Sequence, residues 1–154
     1  MRLLNLKGRE VMLGAAVIVA FACGPGCGGS GNQGSGNQGS GDLVGTWVGT
    51  AVGHDPTTVW TFTATSTNVE VKIDTVATYR GTYVADASSN PKTITITITD
   101  STVSLYIGQT SNGIYKIEGS TLTFAANKPG TTARPTDFIP TADGVTEVFT
   151  LNKQ

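Results

Sequence analysis

The sequence is poor in the residues from which most catalytic and metal sites are built. It has one histidine, His54, and two cysteines, Cys23 and Cys27, among 154 residues. A hydrolytic triad needs a nucleophile, a base and an orienting acid together, and the two cysteines lack the further ligands of a zinc site. His54-Asp55-Pro56 has the composition of a turn, which favours a loop position for the histidine over a catalytic one. We therefore expect a protein that is not an enzyme and that holds no metal or cofactor.

Charge of either sign is also scarce. Asp, Glu, Lys and Arg make up 14% of the chain and leave a formal net charge of -1. Residues 42–154 hold seven Lys or Arg against ten Asp or Glu, so they lack the basic surface that contacts to a phosphate backbone require. We therefore expect no nucleic-acid partner, and the length of this part suits a single small domain.

The apolar run near the N-terminus is too short to predict a transmembrane helix. It extends from Val11 to Ala22, about 12 residues, whereas crossing a bilayer takes roughly 20. Arg2, Lys7 and Arg9 precede the run and small residues follow it, which is the layout of a secretory signal peptide. This pattern predicts that the protein is exported.

The end of this segment, Val19-Ala20-Phe21-Ala22-Cys23, resembles the lipobox of bacterial lipoprotein signal peptides. The resemblance implies that Cys23 is lipidated and becomes the mature N-terminus, with Cys27 as the alternative. It also implies that the protein is lipid-anchored to the membrane in the cell envelope. Because Gly24 is not the aspartate that often signals retention in the inner membrane, we expect the outer membrane or the cell surface.

A glycine-rich segment separates these cysteines from the rest of the chain. The pentapeptide Gly-Asn-Gln-Gly-Ser occurs twice between Gly31 and Ser40, and none of its residues can anchor a hydrophobic core. Such composition is typical of a flexible linker. The sequence thus divides into a signal peptide at residues 1–23, a tether at 24–41 and a folded domain at 42–154.

From Leu43 onward, short β-branched runs are separated by turn residues, and no stretch has apolar residues at helical spacing. Between Lys92 and Thr99, isoleucines alternate with threonines, as in a half-buried antiparallel strand. Asn112-Gly113 and Glu118-Gly119-Ser120 suit tight turns. The predicted elements are Leu43 to Val52, Thr57 to Ala64, Val69 to Asp74, Ala77 to Ala85, Lys92 to Thr99, Val103 to Gln109, Gly113 to Ala125 as a hairpin, and Val145 to Asn152.

This succession of strands predicts a single all-β domain. Neighbouring strands are expected to pair in sequence order as an antiparallel meander of about eight strands. Closure of the meander into a small barrel would remove the exposed edges that alternating Thr-Ile repeats make prone to aggregation.

Several short motifs resemble an uncharacterised lipocalin-like domain family of planctomycete secreted proteins and lipoproteins. The resemblance implies a lipocalin-like barrel that binds a small apolar ligand. It also implies that Gly45 and Trp47, in a Gly-x-Trp motif like that of lipocalins, form the closed base of the barrel beside Lys153. The motifs are Gly45-Thr46-Trp47, Gly81-Thr82-Tyr83, Pro91-Lys92-Thr93-Ile94, Gly113 to Thr123, and Arg134 to Phe138.

The interior of the barrel decides between two functions. An eight-stranded barrel is just wide enough to be filled by its own side chains or to hold one small ligand. The sequence leaves both open: a membrane-anchored protein that binds a small apolar ligand, and a non-enzymatic structural or protein-interaction module of the envelope with a filled barrel. The predicted inward-facing residues are Trp60, Phe62, Val71, Ile73, Ile94, Ile96, Ile98, Leu122, Phe124, Phe149 and Leu151.

One arginine lies in the loop before the last strand, in Arg134-Pro135-Thr136-Asp137-Phe138. Its forked guanidinium could grip a carboxylate or phosphate of a ligand. Alternatively, it forms an internal bond to Asp137 or to loop carbonyls. This second alternative predicts that the loop is fixed over the barrel, with Phe138 as its plug.

Overall fold

The computed structural model describes residues 41–154, so the predictions of the signal peptide, of lipidation at Cys23 or Cys27 and of the tether repeat fall on residues outside this part. No helix within residues 41–154 is long and apolar enough to cross a membrane. Two short 3-10 helices, Gly41–Leu43 and Ser104–Tyr106, accompany the strands. The strands are β1 Gly45–Ala51, β2 Trp60–Ala64, β3 Asn68–Ile73, β4 Ala77–Asp86, β5 Lys92–Ser101, β6 Thr110–Glu118, β7 Thr121–Asn127 and β8 Thr146–Lys153.

These eight strands form one closed antiparallel barrel. Each strand pairs with its neighbour in sequence order, and β8 returns to pair with β1. Trp47 on β1 therefore faces Phe62 on one side and Lys153 on the other. The prediction of an all-β meander barrel of about eight strands is confirmed, and closure leaves no strand with a free edge.

The alternation on β5 explains how the sequence forms this wall. Ile94, Ile96 and Ile98 belong to the buried core inside the barrel, and each is at most 7% exposed. The threonines between them point to the outer face, because successive side chains of a strand point to opposite sides. Each buried isoleucine stabilises the fold by roughly 1.5 to 3 kcal/mol.

The prediction of a strand from Val103 to Gln109 is wrong. This segment forms the 3-10 helix Ser104–Tyr106 and a turn, in which the amide of Tyr106 donates to the carbonyl of Val103. Tyr106 packs against the core, whereas Leu105 and Ile107 on either side of it are 72% and 47% exposed. Local hydrogen bonds form here in place of strand-to-strand hydrogen bonds. The sequence pattern of this segment does not distinguish a short 3-10 helix from a strand.

The prediction of a turn at Asn112-Gly113 is also wrong, because both residues lie inside β6. Gly113 faces Ile94 on one neighbouring strand, and a Cβ atom on it would lie 2.7 Å from Cε2 of Phe124. Glycine is therefore needed here for close packing. The turn predicted at Glu118-Gly119-Ser120 does join β6 and β7, with Gly119 at a φ of 61°.

One end of the barrel is closed by the segment that leads into β1. Leu43, Trp47 and Tyr115 are at most 1% exposed at this end. The Asp42 carboxylate lies 2.5 Å from Nζ of Lys92 and also accepts a hydrogen bond from the Tyr115 hydroxyl at 3.3 Å. Side chains and this ion pair together seal the half of the barrel that contains the Gly-x-Trp segment.

Candidate functional site

The other half of the barrel contains a cavity of about 190 Å³. It lies towards the end formed by the β1–β2, β3–β4, β5–β6 and β7–β8 connections, opposite Trp47. Half of its 18 lining residues are apolar side chains that the sequence predicted to face inward. Those that line it are Trp60, Phe62, Val71, Ile73, Ile96, Ile98, Phe124, Phe149 and Leu151.

Two predicted lining residues lie away from this cavity. Ile94 and Leu122 are 1% and 0% exposed and belong to the buried cluster inside the barrel, but neither contributes to the cavity wall. The barrel is therefore filled in one half and hollow in the other. Its interior combines the two states that the sequence left as alternatives.

The Gly-x-Trp segment lies at the filled end. The indole Nε1 of Trp47 donates to the carbonyl oxygen of Leu43 at 2.9 Å, and Nζ of Lys153 lies 5.1 Å from the centre of the Trp47 ring. Gly45 has a φ of 131°, and a Cβ atom there would lie 3.3 Å from Cε of Lys153. These contacts place Gly45 and Trp47 in the closed base, away from the cavity.

Aromatic rings form much of the cavity wall. The ring centroids of Trp60 and Phe149 are 4.6 Å apart, those of Phe124 and Phe149 5.7 Å, and those of Phe62 and Phe124 5.9 Å. Such offset and tilted pairs stabilise one another beyond their buried area. The Nε1 atom of Trp60 is buried and has no hydrogen-bond partner within residues 41–154. This part of the wall is thus largely apolar and aromatic.

Polar groups gather where the cavity opens. Tyr79, Tyr106 and Glu147 all line it there, and the rings of the two tyrosines are 6.1 Å apart. Burial raises the pKa of Tyr79, and the neighbouring Tyr106 and Glu147 raise it further. His54 Nε2 lies 3.7 Å from the Glu147 carboxylate. We call Tyr79, Tyr106 and Glu147 the mouth cluster.

The sequence analysis did not single out the mouth cluster, although part of it could have been found. Glu147 lies two residues before Phe149 on β8, so both point to the same face of the strand. Tyr79 shares its face of β4 with the buried Ala77 in the same way. Tyr106 had no such signal, because the 3-10 helix that carries it was predicted as a strand.

Arg134 binds the barrel wall through its guanidinium. One terminal nitrogen donates to the carbonyl oxygens of Ile94 at 2.6 Å and Gly113 at 2.5 Å, and the other donates to the Thr95 hydroxyl at 2.8 Å. The residue therefore fixes the loop before β8, but through strand oxygens and not through the predicted partners, Asp137 or the loop's own carbonyls. Its side chain is engaged on the wall and is not among the cavity-lining residues.

Phe138 does not plug the barrel. It packs against a second small cluster formed by Ile114, Ala125 and Val148, whose side chains point away from the interior. The predicted plug is wrong because the loop crosses the outer face of β6, β7 and β8 instead of an end of the barrel. Nζ of Lys116 lies 5.8 Å from the Phe138 ring on this outer face.

His54 lies in the exposed connection after β1, as its turn composition predicts. Asp55 accepts hydrogen bonds there from the amide and hydroxyl of Thr57, which lower the pKa of its carboxyl group. Within residues 41–154, no group of three His, Cys, Asp or Glu side chains is arranged to hold a metal ion.

Comparison with protein-family models, with curated proteins and with solved structures finds no match to this chain in any of the three. The proposed function therefore rests on the geometry of the barrel and its cavity.

Proposed function

We propose that this protein is a lipid-anchored binding protein of the cell envelope that holds a small apolar molecule in the open half of its barrel. The observation that supports this most strongly is the cavity of about 190 Å³ with its aromatic and aliphatic wall. Binding sites for small molecules are typically concave and mostly apolar, with a few polar groups that fix orientation. The cavity and its mouth cluster have this composition.

The size of the cavity limits the ligand. An apolar cavity of about 150 Å³ holds one benzene molecule, so a cavity of about 190 Å³ suits one ring with a short substituent. A haem or a complete long acyl chain would not fit inside. The proposal therefore concerns a compact molecule of about eight non-hydrogen atoms.

Native mass spectrometry of the protein isolated from a bacterial envelope, followed by organic extraction, tests this proposal. We expect one discrete extra mass that the extraction removes. Ala126 lines the cavity, so Ala126→Leu should lower the bound fraction by narrowing the cavity. Val84, which is 53% exposed, provides the matched control Val84→Leu, which should keep the mass. A ligand-free protein that also takes up no single-ring compound would contradict the proposal.

The anchor is supported by the sequence alone, through Val19 to Cys23. Replacement of Cys23 by Ser should abolish both the lipid mass and membrane fractionation, whereas Cys27→Ser should preserve them. The reverse pattern would assign the anchor to Cys27. Retention of the lipid mass in both single variants and in the double variant would contradict a cysteine anchor.

A second candidate function is a non-enzymatic structural or protein-interaction module of the envelope. The exposed apolar side chains around the open end favour it: Val76 is 78% exposed and Leu105 is 72% exposed. The double variant Val76→Ser, Leu105→Ser distinguishes the two functions. Under ligand binding it should keep its extracted mass, whereas under the second candidate it should lose cross-links to neighbouring proteins in intact cells.

A further inference from the structure

The mouth cluster adds a carboxylate and two tyrosine side chains to a cavity whose wall is otherwise largely apolar. Glu147 is the one acidic residue that lines the cavity within the described part of the chain. Its side chain is 28% exposed, and its carboxylate accepts no hydrogen bond from residues 41–154. The nearest basic side chain is His54, whose Nε2 atom lies 3.7 Å from the carboxylate. A carboxylate is therefore available at the point where a ligand would leave the apolar cavity.

Aromatic rings stand beside this carboxylate. The rings of Tyr79 and Tyr106 are 6.1 Å apart and inclined at 47°, and both line the cavity with Glu147. The faces of aromatic rings attract cations. Burial is the main cause of the raised pKa of Tyr79, and the charges of Tyr106 and Glu147 raise it further. A positive group at the mouth would interact with the rings and the carboxylate together.

The basic residue that lines the cavity, Lys128, does not neutralise this arrangement through an ion pair. Its Nζ atom lies 3.7 Å from the position that a Cβ atom would occupy on Gly144. In the same loop, hydrogen bonds from Thr141 and the Val145 amide lower the pKa of Asp143, and the charge of Lys128 adds a smaller contribution. No salt bridge joins Lys128 to Glu147 among the described residues.

We infer that the ligand is a small amine, with its apolar ring or short chain inside the barrel and its ammonium group at the mouth against the Glu147 carboxylate. This inference rests on the proposed function and adds the ligand class. A charged hydrogen bond between ammonium and carboxylate is stronger than a neutral one. A ligand with its own carboxylate would meet the like charge of Glu147 and should bind more weakly.

Isothermal titration calorimetry with three compounds of similar size tests the ligand class. Benzylamine is protonated at neutral pH, benzyl alcohol is neutral, and benzoate is anionic. We expect benzylamine to bind up to about fivefold more tightly than benzyl alcohol, as one partly exposed ion pair provides. Benzoate should bind more weakly than either.

The variant Glu147→Gln tests whether the carboxylate is responsible. It should reduce the affinity for benzylamine to about that for benzyl alcohol, and circular dichroism reports whether the barrel of the variant is folded. Glu118→Gln provides the matched control, because Glu118 lies at the far end of β6 with its side chain 69% exposed. This control should keep the preference for benzylamine.

The outcomes separate the inference from the function on which it rests. Two results would overturn the assignment of an amine ligand while leaving an apolar binding site. One is equal binding of benzylamine and benzyl alcohol, and the other is a preference for benzylamine that survives Glu147→Gln. Failure of all three compounds, together with a ligand-free protein from the envelope, would overturn both.

Discussion

The indole N–H of Trp47 donates to the carbonyl oxygen of Leu43 at 2.9 Å, and both residues are 1% exposed. This bond ties the segment before β1 to the interior of the filled half. It closes that end of the barrel without a covalent link. The second tryptophan, Trp60, has no such bond, although it is also buried.

Trp47→Phe should therefore destabilise the protein more than Trp60→Phe. Both substitutions remove the same volume, but the first also leaves the Leu43 carbonyl unpaired in the core. We expect the free energy of unfolding to fall by about 1 to 3 kcal/mol more for Trp47→Phe. Urea denaturation of the two variants measures the difference. Equal losses would show that the bond contributes nothing to stability.

Arg134 provides a second test of stability, because its guanidinium bonds to Ile94, Gly113 and Thr95. Arg134→Gln should lower the free energy of unfolding by about 3 kcal/mol, since charged donors bound to partly buried oxygens contribute more than neutral ones. Arg134→Lys should recover part of this loss but not the forked geometry.

The matched control for this prediction is Arg80→Gln. Arg80 also makes several charged bonds, to Glu70 and Asp100, but its side chain is 53% exposed. Solvent screening makes exposed ion pairs weak, so we expect a much smaller loss. A loss as large as that of Arg134→Gln would contradict the assignment of Arg134 as the residue that fixes the loop.

Gly113 should not tolerate a side chain. In Gly113→Ala, the added methyl group would lie 2.7 Å from both Cε2 of Phe124 and the carbonyl oxygen of Ala125. Overpacking of this kind costs about 1 to 3 kcal/mol, which thermal or urea denaturation would detect. Gly41→Ala is the control, because nothing lies within 4 Å of its Cβ position. Equal stability of the two variants would refute the close approach.

The free energy of unfolding of the barrel should decrease in acid, partly because Glu70 becomes protonated. Its hydrogen bond to Lys72, and then that to Arg80, lower the pKa of Glu70 below its usual value. A carboxyl group with a lowered pKa in the folded state stabilises the fold above its unfolded pKa, and this contribution disappears as the pH falls through the folded value.

Urea midpoints measured from neutral to acidic pH test this prediction. Glu70→Gln should flatten the acid part of the curve, and high salt should weaken the effect in the unsubstituted protein. An acid dependence that Glu70→Gln leaves unchanged would mean that other carboxyl groups, such as Asp55 and Asp86, account for it.

The sequence predicted the fold because the relevant information is local and periodic. Alternation in segments such as Lys92 to Thr99 sets which side chains face inward, and the order of strands follows from the short turns between most of them. The sequence-based prediction failed at two places. Val103 to Gln109 was predicted as a strand but contains a 3-10 helix, and Asn112-Gly113 was predicted as a turn but lies inside a strand. Composition does not separate these states; tertiary packing does.

The candidate site was less predictable from the sequence. Its apolar wall follows from alternation, but alternation does not show whether inward-facing side chains fill the barrel. Ile94 and Ile96 face inward on the same strand, yet Ile94 lies in the filled half and Ile96 lines the cavity. Tyr106 reaches the cavity from a loop. The position of Phe138 depended on the path of the long loop before β8, which no periodic pattern specifies.

The most direct test of the central claim, that the open half of the barrel binds a single-ring molecule, is methyl NMR of the isoleucines during titration with benzylamine and benzyl alcohol. A bound ring should shift the methyl signals of Ile73, Ile96 and Ile98, which line the cavity. The signals of Ile114 on the outer wall and of Ile139, which is 67% exposed, should stay unchanged. Shifts confined to Ile139 and other exposed methyl groups, or no shifts with either compound, would contradict the claim.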